Sequence, residues 1–314
     1  MAKKTKQDPT GQARNRKKGE ITLDRRLTRA EREVKALFRS IPRTRRRQTS
    51  IVNQPIAVVY DYPLSGAELT DIQNSIRFIL NRELLESQDL MPFNWYWKEN
   101  VELPYRQGTG EEVVRFNQLV TQARVAGVRV RGLPPEAVSL ESILLSEPYR
   151  AALDNVFVSN FASIKNLSNT TASQVIQQIN LGIQAGDTPT NIAKNITERF
   201  DVAKSSAERI ARTEVNKAYN DAKINAVDLV AKQTGLRAGL IHISALIPTT
   251  RQTHAARHGN AFTTADQLQW WNSGANRINC LCTTQSVLID RAGKVVQREF
   301  QEEIRGERAF FDPE

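Results

Sequence analysis

The chain has 314 residues, 40% of them apolar, and a formal net charge of +10, which is enough length and apolar content to bury a core in at least part of it. No run of about 18 apolar residues occurs, and the start lacks the apolar stretch of a signal peptide, so neither membrane insertion nor secretory export is expected. The charge is unevenly placed: residues 1–50 carry 17 Lys and Arg against five Asp and Glu, whereas residues 51–314 carry 27 against 29, the distribution of a near-neutral body with a cationic arm.

In chain order, the first 20 residues offer almost nothing to bury and are expected to be disordered. Leu23, Leu27, Val34, Leu37 and Phe38 form a weak helical stripe that ends before Pro42, and a second basic cluster follows. Residues 1–50 therefore read as a basic, largely disordered arm. Its Lys3, Lys4, Lys6, Arg14, Arg16, Lys17, Lys18, Arg43, Arg45, Arg46 and Arg47 suit either nucleic-acid phosphates or an acidic protein surface. Ile56 to Tyr62 has the content of a short strand. Ser65 and Glu68 make a capping box, followed by the one-faced stripe Leu69, Ile72, Ile76, Ile79, Leu80 and Leu84. The aromatic stretch Phe93 to Trp97 is expected to pack rather than stack on bases, because Glu99, Glu102, Glu111 and Glu112 would repel phosphate.

Helices are expected at about 110–126 and again from Pro134. Ser146 caps another, with Pro148 in its first turn, which should run to about Asn166 and break at the polar residues 166–171. A helix from Ala172 should end at Gly186, Thr188-Pro189 should open the next, and Ser205 or Ser206 should cap a long one closing at Gly235 in a left-handed conformation. Beyond it, Leu240 to Ile243 is β-prone, and residues 283–296 read as a hairpin around Asp290 to Lys294. The expected fold is α+β and mainly helical. An elongated helical N-terminal and middle region (51–150, then 151–235) leads into a small α+β part (236–300) containing the hairpin, and residues 301–314 form a tail.

Both cysteines and two of three histidines fall in one stretch: His254, His258, Cys280 and Cys282. Histidines four apart share a helix face and cysteines two apart share a strand face, so each pair can offer two ligands to one ion. Two thiolates and two neutral imidazoles would neutralise zinc in a closed, structural site. The other reading is a metal-free, hydrogen-bonded cluster of small buried groups. A disulfide between cysteines this close is disfavoured. No phosphate-binding loop and no G-x-S-x-G nucleophile motif occurs, so no catalytic residue or small-molecule substrate is assigned.

The residues around that cluster, Thr250-Arg251-Gln252-Thr253-His254-Ala255-Ala256-Arg257-His258-Gly259 and Asn279-Cys280-Leu281-Cys282, together with Ile210-Ala211-Arg212-Thr213-Glu214 and Tyr219-Asn220, resemble three separated elements of the head-morphogenesis domain of tailed bacteriophages, the Mu F type. The resemblance covers about residues 155–285. Ile247 and Leu281 depart from it, standing where an acidic and a basic residue are common in the family. It implies a non-enzymatic minor head protein of the virion, folded in the host cytoplasm during assembly. Its partners would be the portal and major capsid proteins and packaged double-stranded DNA, touched without base readout. It also implies structural roles for Arg212, Thr213, Glu214, Asn220, Thr250, Arg251, Gly259 and Asn279, with Arg212 and Glu214 bonded to the loop of Thr250 and Arg251. Two rivals remain: a metal-dependent His-Asn-His nuclease using His254, His258 and Asn260, and an internal scaffold-like protein that binds only other proteins.

Overall fold

The computed structural model describes residues 8–47, 58–86, 94–125 and 137–312. Lys3, Lys4, Lys6, Phe93 and Pro134, on which sequence expectations fall, lie outside these. The fold is mainly helical with a small β region. The chain divides into two compact units, one comprising the residues up to Lys18, Trp97–Val158 and Ala211–Glu314, the other Gly19–Tyr96 and Ser159–Ile210.

The helical stripe read at Leu23 to Phe38 lies within a longer helix that begins before it, inside the segment expected to be disordered. Ala13–Arg39 is a single helix, α1, on which Leu23, Leu27, Ala30, Val34 and Phe38 are buried. Lys and Arg are good helix formers, so a basic run adjoining an apolar stripe extends the helix instead of fraying it. Several of its cations also find carboxylates: Lys35 binds Glu31 (2.7 Å), which Lys204 also binds (2.9 Å), and Arg29 binds Glu83 (2.9 Å). Strand β1 (Thr44–Arg47) pairs antiparallel with β2 (Val58–Asp61), placing Arg46 against Asp61. Arg43 donates to the carbonyls of Arg39 and Ile41 just past α1.

Helix α2 (Gly66–Leu84) starts at the expected capping box, with Ser65 N donating to Glu68 Oε2 and Glu68 N to Ser65 Oγ, and buries Ile76, Ile79, Leu80 and Leu84. Helix α3 (Asn94–Trp97) runs through a π-turn at Lys98–Glu102 into α4 (Leu103–Val125), a longer helical segment than expected. Pro104 lacks an N–H and its ring crowds the preceding turn; the wider π-turn just before it accommodates both. Tyr96 and Trp97 are buried, and Trp97 packs edge-on against Phe157 at 5.0 Å, so the aromatic stretch is a packing element.

A short α5 (Leu140–Leu144) precedes two long helices, α6 (Glu147–Ala185) and α7 (Pro189–Thr234). Neither expected interruption occurs. At 166–171, Ser168 Oγ donates to Asn81 Oδ1 and Thr171 Oγ1 to its own Leu167 carbonyl; Ser205 Oγ likewise donates to Asp201 O. Polar side chains with partners of this kind do not stop a helix whose apolar face continues. Gly235 closes α7 at φ +68°, as expected.

The last third holds a sheet of order β4-β3-β5, from β3 (Ala238–Ile243), β4 (Ala261–Phe262) and β5 (Thr283–Leu288), with helices α8 (Gln252–Arg257) and α9 (Thr264–Asn272) between strands. Alternation along β3 sorts its side chains. Leu240 packs with Ile224, Val227 and Trp271, whereas Ile241 packs with Val287 and Val295, beside Phe300 and Ile304. The turn at Asp290–Lys294 forms, but its returning arm is a single Ile289–Val295 bridge. Helix α10 (Arg298–Gly306) and a 3-10 turn end the described chain. Among the described residues, no helix is long and apolar enough to cross a membrane.

Candidate functional site

Three of the four expected ligands meet. His254 Nδ1 lies 3.3 Å from Cys282 Sγ and 3.4 Å from Cys280 Sγ, and Cys282 N–H donates to Cys280 Sγ at 3.3 Å. All three side chains are buried.

His258 does not join them. Helix α8 ends at Arg257, and His258 has φ −55° and ψ 128°, so a four-residue spacing no longer sets the two imidazoles on one face. Its Nδ1 accepts the Ser244 N–H (2.9 Å) and its Nε2 faces Glu307 (3.2 Å). Burial depresses its pKa to about 4, so the ring is neutral at pH 7 and Nε2–H donates to the carboxylate.

His242 takes the vacated place. A ring nitrogen of His242, one of His254 and the Cys282 sulfur lie within 4.8 Å of one another, a group that could hold a metal ion. His242 points to the Leu240 face of β3, and its ring meets Trp270 edge-on at 5.2 Å, as His254 does at 4.7 Å. Burial, then the charges of Arg257 and His254, push its pKa down to about 3, so it is neutral. Gln267 presents both amide atoms to His242 Nδ1, at 3.1 and 3.4 Å, while His242 Nε2 is buried without a hydrogen-bond partner among the described residues. Sequence reasoning saw His242 only as part of a strand. The available signal was its two-residue step from Leu240, which makes it inward-facing.

The two sulfurs shift each other's pKa in opposite directions. A hydrogen bond from Cys282, helped by His254 and opposed by burial, draws the Cys280 pKa down to about 5, and the same pairing pushes Cys282 well up. Ser244 Oγ sits 3.2 Å from Cys282 Sγ. Beside the cysteines, the space lined by Asn216, Lys217, Asn220, Trp271, Arg277, Cys280 and Cys282 is about 10 Å³, room for a water but not for an organic substrate.

The polar stripe of α7 clasps this centre. Asn216 Nδ2 donates to Cys280 O (2.7 Å), Asn220 Nδ2 to Cys282 O (3.0 Å), and Thr283 Oγ1 to Asn220 Oδ1 (2.8 Å). Thr213 Oγ1 accepts the Asn279 N–H (3.1 Å), and Asn279 adopts φ +52°, a conformation that Asn tolerates better than most residues. Arg277 pairs with Asp221 at 2.6 Å. Thr250 Oγ1 accepts Ile247 N–H, while Arg251 donates to Ile278 O (2.7 Å) and to His254 Nε2 (3.3 Å). Glu214 is buried and Arg212 half-buried on the same helix. Gly259, at φ +76°, donates its N–H to His242 O, and a Cβ there would lie 2.7 Å from Arg305 N.

The basic residues have mixed fates. Arg16 is 8% exposed and donates to Asp8 (2.8 Å), Thr10 (3.0 Å) and Asn216 Oδ1 (2.9 Å), so it is part of the packing and not of a free arm. Burial would raise the Asp8 carboxyl, but the bonds from Arg16 and Thr10 outweigh it and hold it below its ordinary pKa. Arg14, Lys17, Lys18, Arg43, Arg45 and Arg46 are exposed, although Lys18 pairs with Glu99 at 2.6 Å. Arg47 is the last residue of β1.

Neither a curated protein nor a solved structure matches the chain. Residues 173–285, the segment that supplies the clasping helix, the three histidines and both cysteines, match the family described as Phage Mu protein F like protein, a link to phage head-morphogenesis proteins that is carried by this part of the chain alone.

Proposed function

We propose that the protein is a non-enzymatic minor head protein of a tailed bacteriophage, acting in head morphogenesis at the portal or inner capsid. The observation that carries this reading is the family match over residues 173–285. It is supported by the use of the shared motif: Thr213, Asn220, Thr250, Arg251, Gly259 and Asn279 hold the chain together by hydrogen bonds. Co-expressed with the portal and major capsid proteins of its own virus, the protein should sediment with assembled heads or portal rings, and its absence from both would overturn the reading. Plasmid cleaved in the presence of magnesium or manganese would overturn its non-enzymatic part.

Contact with packaged DNA is the finer part of the proposal. Lys3, Lys4, Lys6, Arg14, Arg43 and Arg45 are the cations suited to phosphates, and their contribution would be sequence-independent and steeply salt-sensitive. Deleting residues 1–50 would remove the buried α1 and Arg16, so charge replacement is the correct test. The variant with Lys3, Lys4, Lys6, Arg14 and Arg45 all changed to Gln should lose low-salt retention of duplex DNA and keep its thermal unfolding. One observation favours a protein-only role for this segment: Arg16, Lys18 and Arg46 are already paired with Asp8, Glu99 and Asp61, leaving less charge for phosphates. Unchanged DNA retention together with lost portal binding would select that reading.

A further inference from the structure

We propose that His242 Nε2, His254 Nδ1 and the sulfurs of Cys280 and Cys282 form a tetrahedral site for one zinc ion. The inference is independent of the head-assembly reading.

The first support is geometric. His254 Nδ1 stands 3.3 and 3.4 Å from the two sulfurs, close to the edge length that ligands about 2.0–2.3 Å from a shared zinc ion would have. His242 completes the group from β3, within 4.8 Å of His254 and Cys282. The second support is an orphan. His242 is fully buried, its Nδ1 is held by Gln267, and Nε2 has no hydrogen-bond partner among the described residues; a buried ring nitrogen left unpaired is costly unless something binds it.

The surroundings match those of ligating groups. Gln267 can accept a hydrogen bond from His242 Nδ1–H through its oxygen, 3.4 Å away, which leaves Nε2 free to coordinate. Cys280 Sγ accepts the Cys282 N–H, and Ser244 Oγ meets Cys282 Sγ. Coordination through His254 Nδ1 moves that ring's proton to Nε2, and Arg251 then retains its bond to Ile278 O at 2.7 Å. Two nitrogens and two sulfurs select zinc over magnesium or calcium, which take oxygen ligands. Four protein ligands leave no position for water, so the ion would pin β3, α8 and the loop before β5 and perform no hydrolysis.

Full-length protein made without a polyhistidine tag, in zinc-supplemented medium, should carry about one zinc per chain. Cobalt(II) in its place should show thiolate charge-transfer absorption and the intense ligand-field bands of a tetrahedral site. His258→Gln should keep the full metal content, whereas His242→Gln and Cys280→Ser should lose it. Should those two variants fold poorly, the wild type decides: a chelator should lower its Tm, and zinc but not magnesium should restore it. Wild-type protein with under about 0.2 zinc per chain or without cobalt–thiolate absorption overturns the proposal, as does loss of metal from His258→Gln with retention in His242→Gln.

Discussion

The helical unit of residues 19–96 and 159–210 and the His–Cys centre of residues 242–283 are both closed structures, but different forces close them. The first buries a continuous apolar stripe: Leu23, Leu27, Ala30, Val34 and Phe38 on α1, and Ile76, Leu80 and Leu84 on α2. Each fully buried Leu there is worth about 1.5–3 kcal/mol. The second places His242, His254, Cys280 and Cys282 where a core would stand, walled by Trp270 and Trp271, and tied to α7 by Asn216 and Asn220. Apolar burial tolerates small shifts because it is non-directional; a hydrogen-bonded centre depends on each partner being in place.

This contrast can be broken at its strongest point first. Leu27→Ala should cost about 2–5 kcal/mol in urea unfolding, since the side chain is fully buried; a loss under about 1 kcal/mol would show that α1 is not integral to its unit. Asn216→Ala should cost about 1–3 kcal/mol, because it leaves the Cys280 carbonyl and Arg16 without their shared partner. A double-mutant cycle with Arg16→Ala should give a coupling of about 0.5 kcal/mol or more, and strict additivity would remove the link between the basic segment and the centre.

A pH scan sharpens the comparison. His258 is titrated in the folded state near pH 4, against an ordinary value of 6.5, so the unfolded chain takes up its proton first as pH falls. The stability contributed by the neutral ring is complete above about pH 6.5 and drains away toward pH 4. The groups facing it are Glu307, Arg308, the Ser244 N–H and the Ile304 backbone. His258→Gln should flatten the stability curve in that window, and an unchanged slope would place the titrating group elsewhere. The smallest effect is expected at the capping box of α2, where Ser65→Ala should cost about 1 kcal/mol and leave the centre untouched.

Local chemistry made several elements legible in the residues. Ser65 with Glu68, Thr188-Pro189 and Gly235 marked helix ends, because caps and left-handed termini depend on residues adjacent in the chain. Helical continuity was less legible: residues 166–171 and Ser205 looked like breaks, and only the packed helix shows their hydroxyls bonded to Asn81, Leu167 and Asp201. The pairing of the basic run was hidden for the same reason, since the carboxylates that accept Arg16, Lys18 and Arg46 lie elsewhere in sequence or in the turn before α1.

Composition and spacing alone were enough to establish a mainly helical chain with a small α+β end, and to place two cysteines and His254 in a shared cluster. Which histidine completes that cluster was decided by tertiary structure. The turn after Arg257 rotates His258 away to Ser244 and Glu307, and the pairing of β3 with β4 and β5 carries His242 in. Spacing can specify neighbours only while a regular element lasts; once α8 ends, the position of a side chain is set by contacts distant in the sequence.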